Sequence, residues 1–156
     1  MGIQNVQNNM NIGQEATKMR KDPVKLNELP YDSEFLNALG ELEHRIIEDY
    51  ETFTNRSGRA EVNTKYCDNF RAGLGYLPGN KYLKIITEKS VWGFINLKNK
   101  NFKEGDILKA SGWSAPALNK PRGNIFNDNY EISWTGPKYL PGSTGMPVYE
   151  MRKGTA

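Results

Sequence analysis

The sequence predicts an α+β protein in which one amphipathic helix packs on a small antiparallel β-barrel or curled sheet. In the segment 33–54, apolar residues recur every three or four positions, as they do on one face of a helix. From residue 81 onward the apolar segments are short and rich in β-branched and aromatic residues. A chain of 156 residues suffices for one domain with a hydrophobic core and is short for two.

Residues 1–30 are predicted to form a flexible polar arm ahead of a single domain over residues 31–156. The arm is rich in Asn and Gln, then in lysine, and it has few large apolar side chains. Such a segment buries too little surface to offset the entropy lost on ordering. Leu26 and Leu29 are the arm side chains that we expect to contact the domain.

The helix is predicted over residues 33–54. Asp32 or Ser33 is suited to cap its start, because a short polar side chain can accept a hydrogen bond from a free backbone N–H group there. Asn55 and Gly58 are suited to end it. Its predicted apolar face consists of Phe35, Leu39, Leu42, Ile46, Tyr50 and Phe53.

The segment 59–75 is ambiguous. Tyr66, Phe70 and Leu74 fit one short helix, which the glycines that follow Ala72 would break. Just after it, the sequence YLPG at 76–79 recurs at 139–142, and we interpret both copies as type II turns.

The remaining elements are predicted as strands. The segments 82–87 and 91–97 form a hairpin, because only three polar residues separate them. Trp92 and Phe94, two positions apart, are expected on one face of the second strand. Several short strands at this spacing are typical of a small barrel or bent sheet. Further strands are predicted at 107–110, at 130–134 and, at an edge, over 146–151.

Composition argues against most catalytic chemistry. The single cysteine, Cys67, excludes an internal disulfide and a cysteine-based zinc site, and we expect it to be a small buried hydrophobe. His44 is the only histidine, and no GxxxxGK[ST] phosphate loop is present. Glu104, Asp106 and Lys109 resemble a carboxylate Mg²⁺ site with a lysine, yet an ordinary turn explains them better. We therefore predict no catalysis, no metal and no cofactor.

Charge is unevenly distributed along the chain. Residues 31–63 carry eight acidic and three basic side chains, whereas residues 81–156 carry six acidic and twelve basic ones. A basic region of this kind can attract polyanions. The alternative is that the acidic helix lies against the basic sheet and the two fields partly cancel.

The segment 102–126 is the best candidate for a site. A long irregular loop in a small domain is uncommon unless it binds a ligand or packs on itself. Trp113 is expected to be exposed among small polar neighbours, where it can stack on a base, and residues 120–124 (KPRGN) are a candidate phosphate contact, although a solvated turn explains them equally well. The predicted nucleic-acid-binding residues are Lys98, Lys100, Lys103, Lys109, Trp113, Lys120, Arg122 and Asn124.

Four segments carry a resemblance to known proteins: GDILKA (105–110), WSAP (113–116), RGN (122–124) and WTG (134–136). In these segments the chain resembles small uncharacterised proteins encoded by tailed bacteriophages. The resemblance covers about residues 80–136 and not the arm or the helix. It implies a viral, intracellular setting and brings no activity with it.

The sequence thus predicts a non-enzymatic phage accessory protein that binds nucleic acid through the basic and aromatic loop. The alternative is a protein–protein interaction module, either a virion or assembly component or an inhibitor of a host enzyme. No segment is apolar enough to suggest a membrane span or a signal peptide. The expected location is therefore the host cytoplasm, or the virion for an assembly component. The choice between DNA and RNA, the partner's identity and the oligomeric state stay open.

Overall fold

The computed structural model describes residues 22–57, 60–88 and 90–140. Helices precede strands along this part of the chain, and it is α+β as predicted. The predicted edge strand at 146–151, the residue Gly58 and the arm before residue 22 lie outside the described residues. The elements are helices α1 (Ser33–Thr54) and α2 (Ala60–Gly73), and strands β1 (Gly75–Pro78), β2 (Tyr82–Thr87), β3 (Ser90–Asn96), β4 (Ile107–Leu108), β5 (Ile132–Ser133) and β6 (Gly136–Pro137).

Helix α1 has the predicted bounds and the predicted cap. The Asp32 carboxylate accepts a hydrogen bond of 2.9 Å from the backbone N–H of Phe35. Leu42 and Ile46 are completely buried on the predicted apolar face. The face opens to solvent at its end, where Phe53 is 46% exposed. Burial thus follows the periodicity except in the last turn.

Helix α2 shows that the prediction of a single helix was incomplete. Cys67 and Phe70 are buried on α2, whereas Tyr66, placed on the apolar side by the sequence, is 50% exposed. The ring of Phe70 stacks on that of Tyr50 in α1, with 4.1 Å between centroids. The two helices therefore share one apolar interface.

The main sheet is antiparallel, with strand order β1-β2-β3-β4, and β5 and β6 form a separate two-stranded sheet. The hairpin of β2 and β3 is confirmed. The segment 76–78, predicted as part of a turn, instead belongs to strand β1, in which Tyr76 pairs with Ile85. The described strands do not close into a barrel.

A β-bulge in the hairpin separates two aromatic residues that the sequence placed on one face. The register between β2 and β3 shifts at Ile85 and Ile86. Trp92 consequently belongs to the core and donates from Nε1 to the carbonyl oxygen of Ser133 at 2.9 Å. Phe94 lies on the other face, opposite Lys84. The bulge therefore leaves an aromatic ring on the face away from the helices.

The core lies between α1 and the main sheet, as predicted. One cluster of buried side chains joins both helices to strands β1 to β4 and to the loops that follow them. Its largest completely buried members are Trp92, Tyr76, Phe70, Leu39, Leu42, Ile46, Leu83, Ile85, Ile95 and Ile107.

Residues 22–30, the described part of the predicted arm, pack on the domain. Val24 and Tyr76 exchange two backbone hydrogen bonds of 2.8 Å at the edge of β1. The Lys25 ammonium donates to the carbonyl oxygens of Ala72 and Leu74 at the end of α2. Leu29 is 6% exposed, as expected for its contact with the domain.

Candidate nucleic-acid interface

The predicted site residues divide into two sets. Lys98, Lys100, Lys103, Lys120 and Trp113 are exposed. The other three predicted residues, Lys109, Arg122 and Asn124, direct their polar groups to the protein itself. The first set leaves its side chains open to solvent, whereas the second set has its polar groups engaged within the protein, although Asn124 also lines one of the clefts described below.

Trp113 borders an open groove of about 770 Å³ on the helix-free face of the sheet. Trp113 is 53% exposed, as predicted. The Lys84 ammonium lies 4.6 Å from the Trp113 ring centroid and 5.9 Å from that of Phe94. Burial lowers the pKa of Lys84. Tyr82 and Lys81 also line the groove, which combines aromatic rings with cations.

Local pairing positions Trp113 over this groove. Ala110 and Pro116 form an isolated antiparallel bridge, and within it Ser111 donates from both its backbone N–H and its hydroxyl to the Ala115 carbonyl oxygen, each at 3.0 Å. The residues between them form a small closed loop with Trp113 near its tip. Because the backbone of the loop is held in this way, little backbone entropy is lost when a ligand ring stacks on the indole of Trp113.

A second open cleft, of about 930 Å³, brings together three of the predicted lysines: Lys100, Lys103 and Lys120. Lys100 and Lys103 come from the turn after β3, and Lys120 comes from the long loop. Phe126, which is 41% exposed, lines the same cleft. The fold therefore brings into one cleft positive charges that are about twenty residues apart in the sequence.

The turn after β3 separates the groove from the cleft. The backbone N–H of Lys98 donates to the Lys81 carbonyl oxygen at 3.1 Å, and the Asn99 amide donates to the Tyr82 hydroxyl at 2.8 Å. The next residue, Lys100, lines the cleft. Consecutive residues are about 3.8 Å apart, so both depressions flank one turn.

Asn96 fixes the conformation of this turn, a role that the sequence analysis did not predict. It is 1% exposed, and its amide donates to the carbonyl oxygens of Asn99 and Lys103, both at 3.1 Å. Its side-chain oxygen accepts from the Asn99 backbone N–H. A buried asparagine saturated by backbone groups fixes loop geometry, and nothing in the local sequence distinguishes it from exposed asparagines.

Arg122, predicted to contact phosphate, instead lies buried in the protein. Its side chain is buried, at 7% exposure for the residue. Its guanidinium donates to the carbonyl oxygens of Lys138 and Lys120 and to the Asn119 side chain, at 2.7 to 2.9 Å. These hydrogen bonds join the long loop to the segment that follows β6 and give the buried guanidinium three acceptors. The guanidinium is thus committed to the protein's own structure.

Lys109 and Asn124 are corrected for the same reason. The Lys109 ammonium donates to the Pro137 carbonyl oxygen at 2.8 Å and lies 4.0 Å from the Tyr139 ring centroid. Burial, with a smaller contribution from the charge of Arg122, lowers its pKa. The Asn124 amide donates to the Asp106 carboxylate and to the Glu104 carbonyl oxygen, both at 3.0 Å.

In the pattern of Glu104, Asp106 and Lys109 that resembles a Mg²⁺ site, the Asp106 carboxylate is engaged by the protein itself. Asp106 is buried and accepts hydrogen bonds from the Lys103 backbone N–H and from the Asn124 amide. No group of three or more potential metal ligands occurs within the described ranges. His44 is exposed on α1. The ordinary turn, favoured in the sequence, accounts for these residues.

Sequence reasoning missed Lys84, Tyr82 and Lys81 as groove residues. One weak indication was present, because Lys84 interrupts an otherwise apolar strand and alternation places it on the face opposite Leu83 and Ile85. The bulge, which turns Trp92 to the core and leaves Phe94 on the face of Lys84, has no sequence signature of comparable strength.

Comparisons with models of protein families, with curated proteins and with solved structures find no match to this chain. No helix within residues 22–57, 60–88 and 90–140 is long and apolar enough to cross a membrane.

Proposed function

We propose that this chain is a non-enzymatic, phage-encoded accessory protein that binds nucleic acid in the host cytoplasm. The observation that carries the proposal is the exposed Trp113 ring in a groove with Lys84 and Lys81. Bases stack on exposed aromatic faces while cations contact the phosphates. The lysines of the neighbouring cleft extend the same positive surface.

The charge of this surface supports a polyanion as ligand. Lys81, Lys98, Lys100, Lys103 and Lys120 are exposed around the two depressions. Among the described residues no carboxylate forms a salt bridge with any of these lysines, and Asp22 is the exposed carboxylate that lines the groove. Glu104 is the exposed carboxylate that lines the cleft. The net charge of the surface is therefore positive without Lys109 and Arg122.

Replacing Trp113 by Ala is expected to weaken binding to all single-stranded oligonucleotides by about 1–3 kcal/mol, because one stacking platform is lost. Fluorescence titration of the full chain measures the affinity. The matched control is Tyr66→Ala, which removes an equally exposed ring from α2. Equal affinities of Trp113→Ala and the wild type would contradict the proposed stacking.

Lys98→Ala and Lys120→Ala are each expected to reduce the slope of log affinity against log salt by slightly less than one, because each removes one phosphate contact. The comparison variant Lys65→Ala removes an exposed lysine of α2 and should leave the slope unchanged. A slope that stays at the wild-type value in Lys98→Ala and Lys120→Ala argues against phosphate binding here.

The absence of catalysis is tested with Mg²⁺. We expect no cleavage of DNA or RNA when the protein and Mg²⁺ are incubated with either polymer, because Asp106 is buried and each of its carboxylate oxygens already accepts a hydrogen bond from the protein. Cleavage that disappears in Asp106→Asn would show that the protein is a nuclease. Circular dichroism of that variant would establish that it is folded.

A protein partner is the second candidate function, and one observation favours it. Phe53 is 46% exposed and its ring lies 5.1 Å from that of the half-buried Trp134, centroid to centroid. Exposed rings that adjoin buried ones are common at protein interfaces. A stoichiometric protein that co-purifies after nuclease treatment, without measurable oligonucleotide binding at low salt, would favour this function over the first.

A further inference from the structure

The second cleft holds groups that phosphate binding does not use. Besides its three lysines it is lined by two phenylalanines, Phe102 and Phe126, and by several asparagines. Asn101 and Asn129 form no side-chain hydrogen bond to another described residue, and both are exposed. An asparagine amide presents one acceptor and two donors in a plane. The cleft therefore offers free planar hydrogen-bonding groups.

Two further asparagines have their oxygen engaged and their amino group available. The Asn119 oxygen accepts from Arg122 at 2.7 Å, and the Asn127 oxygen accepts from the Asn129 backbone N–H at 3.3 Å. Because the oxygens are held, the amino groups have a fixed direction. Fixed donors in a polar cleft are suited to recognise the acceptors of a planar ligand.

Phe126 is held as a platform in the same cleft. Its backbone N–H donates to the Asn124 side-chain oxygen at 2.8 Å, and its ring packs edge-on against Phe35, with 5.7 Å between centroids. Gly105 has a φ of +91°, and a Cβ atom there would lie 2.8 Å from the ring. Glycine at this position thus permits the ring to lie against the turn while 41% of the residue stays exposed.

From this arrangement we infer that the second cleft is a base-reading subsite for an unpaired nucleotide. The base stacks on Phe126, asparagine amides read its edge, and Lys103 and Lys120 contact the adjoining phosphates. A base edge is free to be read in this way only when the base is unpaired, so the ligand is a single strand. The inference rests on the proposed function and adds base selectivity and strandedness to it.

The two depressions serve one strand, because they flank the same turn. A nucleotide stacked on Trp113 contributes affinity that is tolerant of sequence. A nucleotide in the second cleft contributes selectivity, since hydrogen bonds to base edges discriminate between bases. Changes in the Trp113 groove should therefore alter overall affinity, and changes in the second cleft should alter base preference.

The test is a titration of the full chain with single-stranded homo-oligonucleotides of each base, about ten nucleotides long, and with a duplex of the same length. The wild type should bind single strands more tightly than the duplex. Affinities for the four homo-oligonucleotides should differ by about fivefold or more between best and worst. The double variant Asn101→Ala/Asn129→Ala should remove this preference and keep the salt slope. The control Asn37→Ala/Asn69→Ala, at exposed positions on the helices, should keep both.

Three results would overturn the inference while leaving the proposed function in place: equal affinity for all four bases, a base preference that survives in Asn101→Ala/Asn129→Ala, or tighter binding to the duplex. In each of these three cases the proposed function would still stand if the wild type binds oligonucleotides in a salt-sensitive way and Trp113→Ala weakens that binding. The absence of salt-sensitive binding to any oligonucleotide would overturn the proposed function and the inference together. Circular dichroism shows that the variants are folded.

Discussion

Replacing Leu42 by Ala is expected to lower the free energy of unfolding by about 2–5 kcal/mol, and Ile46→Ala by a similar amount. Both side chains are completely buried between α1 and the sheet, in a cluster with Leu83, Ile95 and Ile107. Truncation removes apolar contacts and leaves a cavity, because the packed strands cannot move in to fill it. Urea unfolding followed by circular dichroism measures the change.

The matched control is Leu118→Ala. Leu118 is 63% exposed, and a surface substitution of this kind usually changes stability by about 0.5 kcal/mol or less. A value below about 1 kcal/mol for both Leu42→Ala and Ile46→Ala would show that α1 does not pack on the sheet as described.

Arg122→Ala is expected to destabilise the protein by about 3 kcal/mol, because three oxygen acceptors lose a charged donor. Two of these acceptors, the carbonyl oxygens of Lys120 and Lys138, belong to segments that the guanidinium ties together. The loss should therefore loosen the long loop from the hairpin of β5 and β6. Urea unfolding gives the free energy, and hydrogen exchange of residues 117–138 reports the loosening.

Lys120→Ala is the natural comparison, since it removes a cation two positions away that is exposed. It should leave stability unchanged and reduce the salt slope of nucleic-acid binding. The opposite pattern, in which Arg122→Ala keeps wild-type stability and reduces the salt slope by about one, would restore Arg122 as a phosphate contact.

Much of the fold was predictable because it depends on local periodicity. The apolar face of α1 follows from the spacing of its residues, the cap at Asp32 from the chemistry of a short polar side chain at a helix start, and the hairpin of β2 and β3 from two apolar segments separated by three polar residues. Helix α2 was harder to predict, since Cys67 and Phe70 are the buried side chains among those described from residue 64 onward, and Tyr66 on the expected face is exposed. A short helix with few apolar residues shows only a weak helical periodicity in its sequence. Its position in the fold is given by the packing of Phe70 against Tyr50.

The candidate site was predictable in part. Trp113 is exposed because small polar neighbours leave its ring uncovered, and that composition is visible in the sequence. Lys109 and Arg122 could not be distinguished from Lys100 and Lys120 in the same way. All four are basic residues in or beside an irregular loop, and only the position of distant carbonyl oxygens, at Pro137 and Lys138, decides which cations turn inward.

By itself, the sequence of this protein determined the long helix, the central hairpin and an exposed tryptophan, since each follows from the properties of neighbouring residues. The tertiary structure alone decided which cations are free. It also decided the convergence of Lys100, Lys103 and Lys120 and the division of Trp92 and Phe94 between opposite faces. These outcomes depend on a bulge and on hydrogen bonds between residues far apart in the chain, which no local pattern encodes.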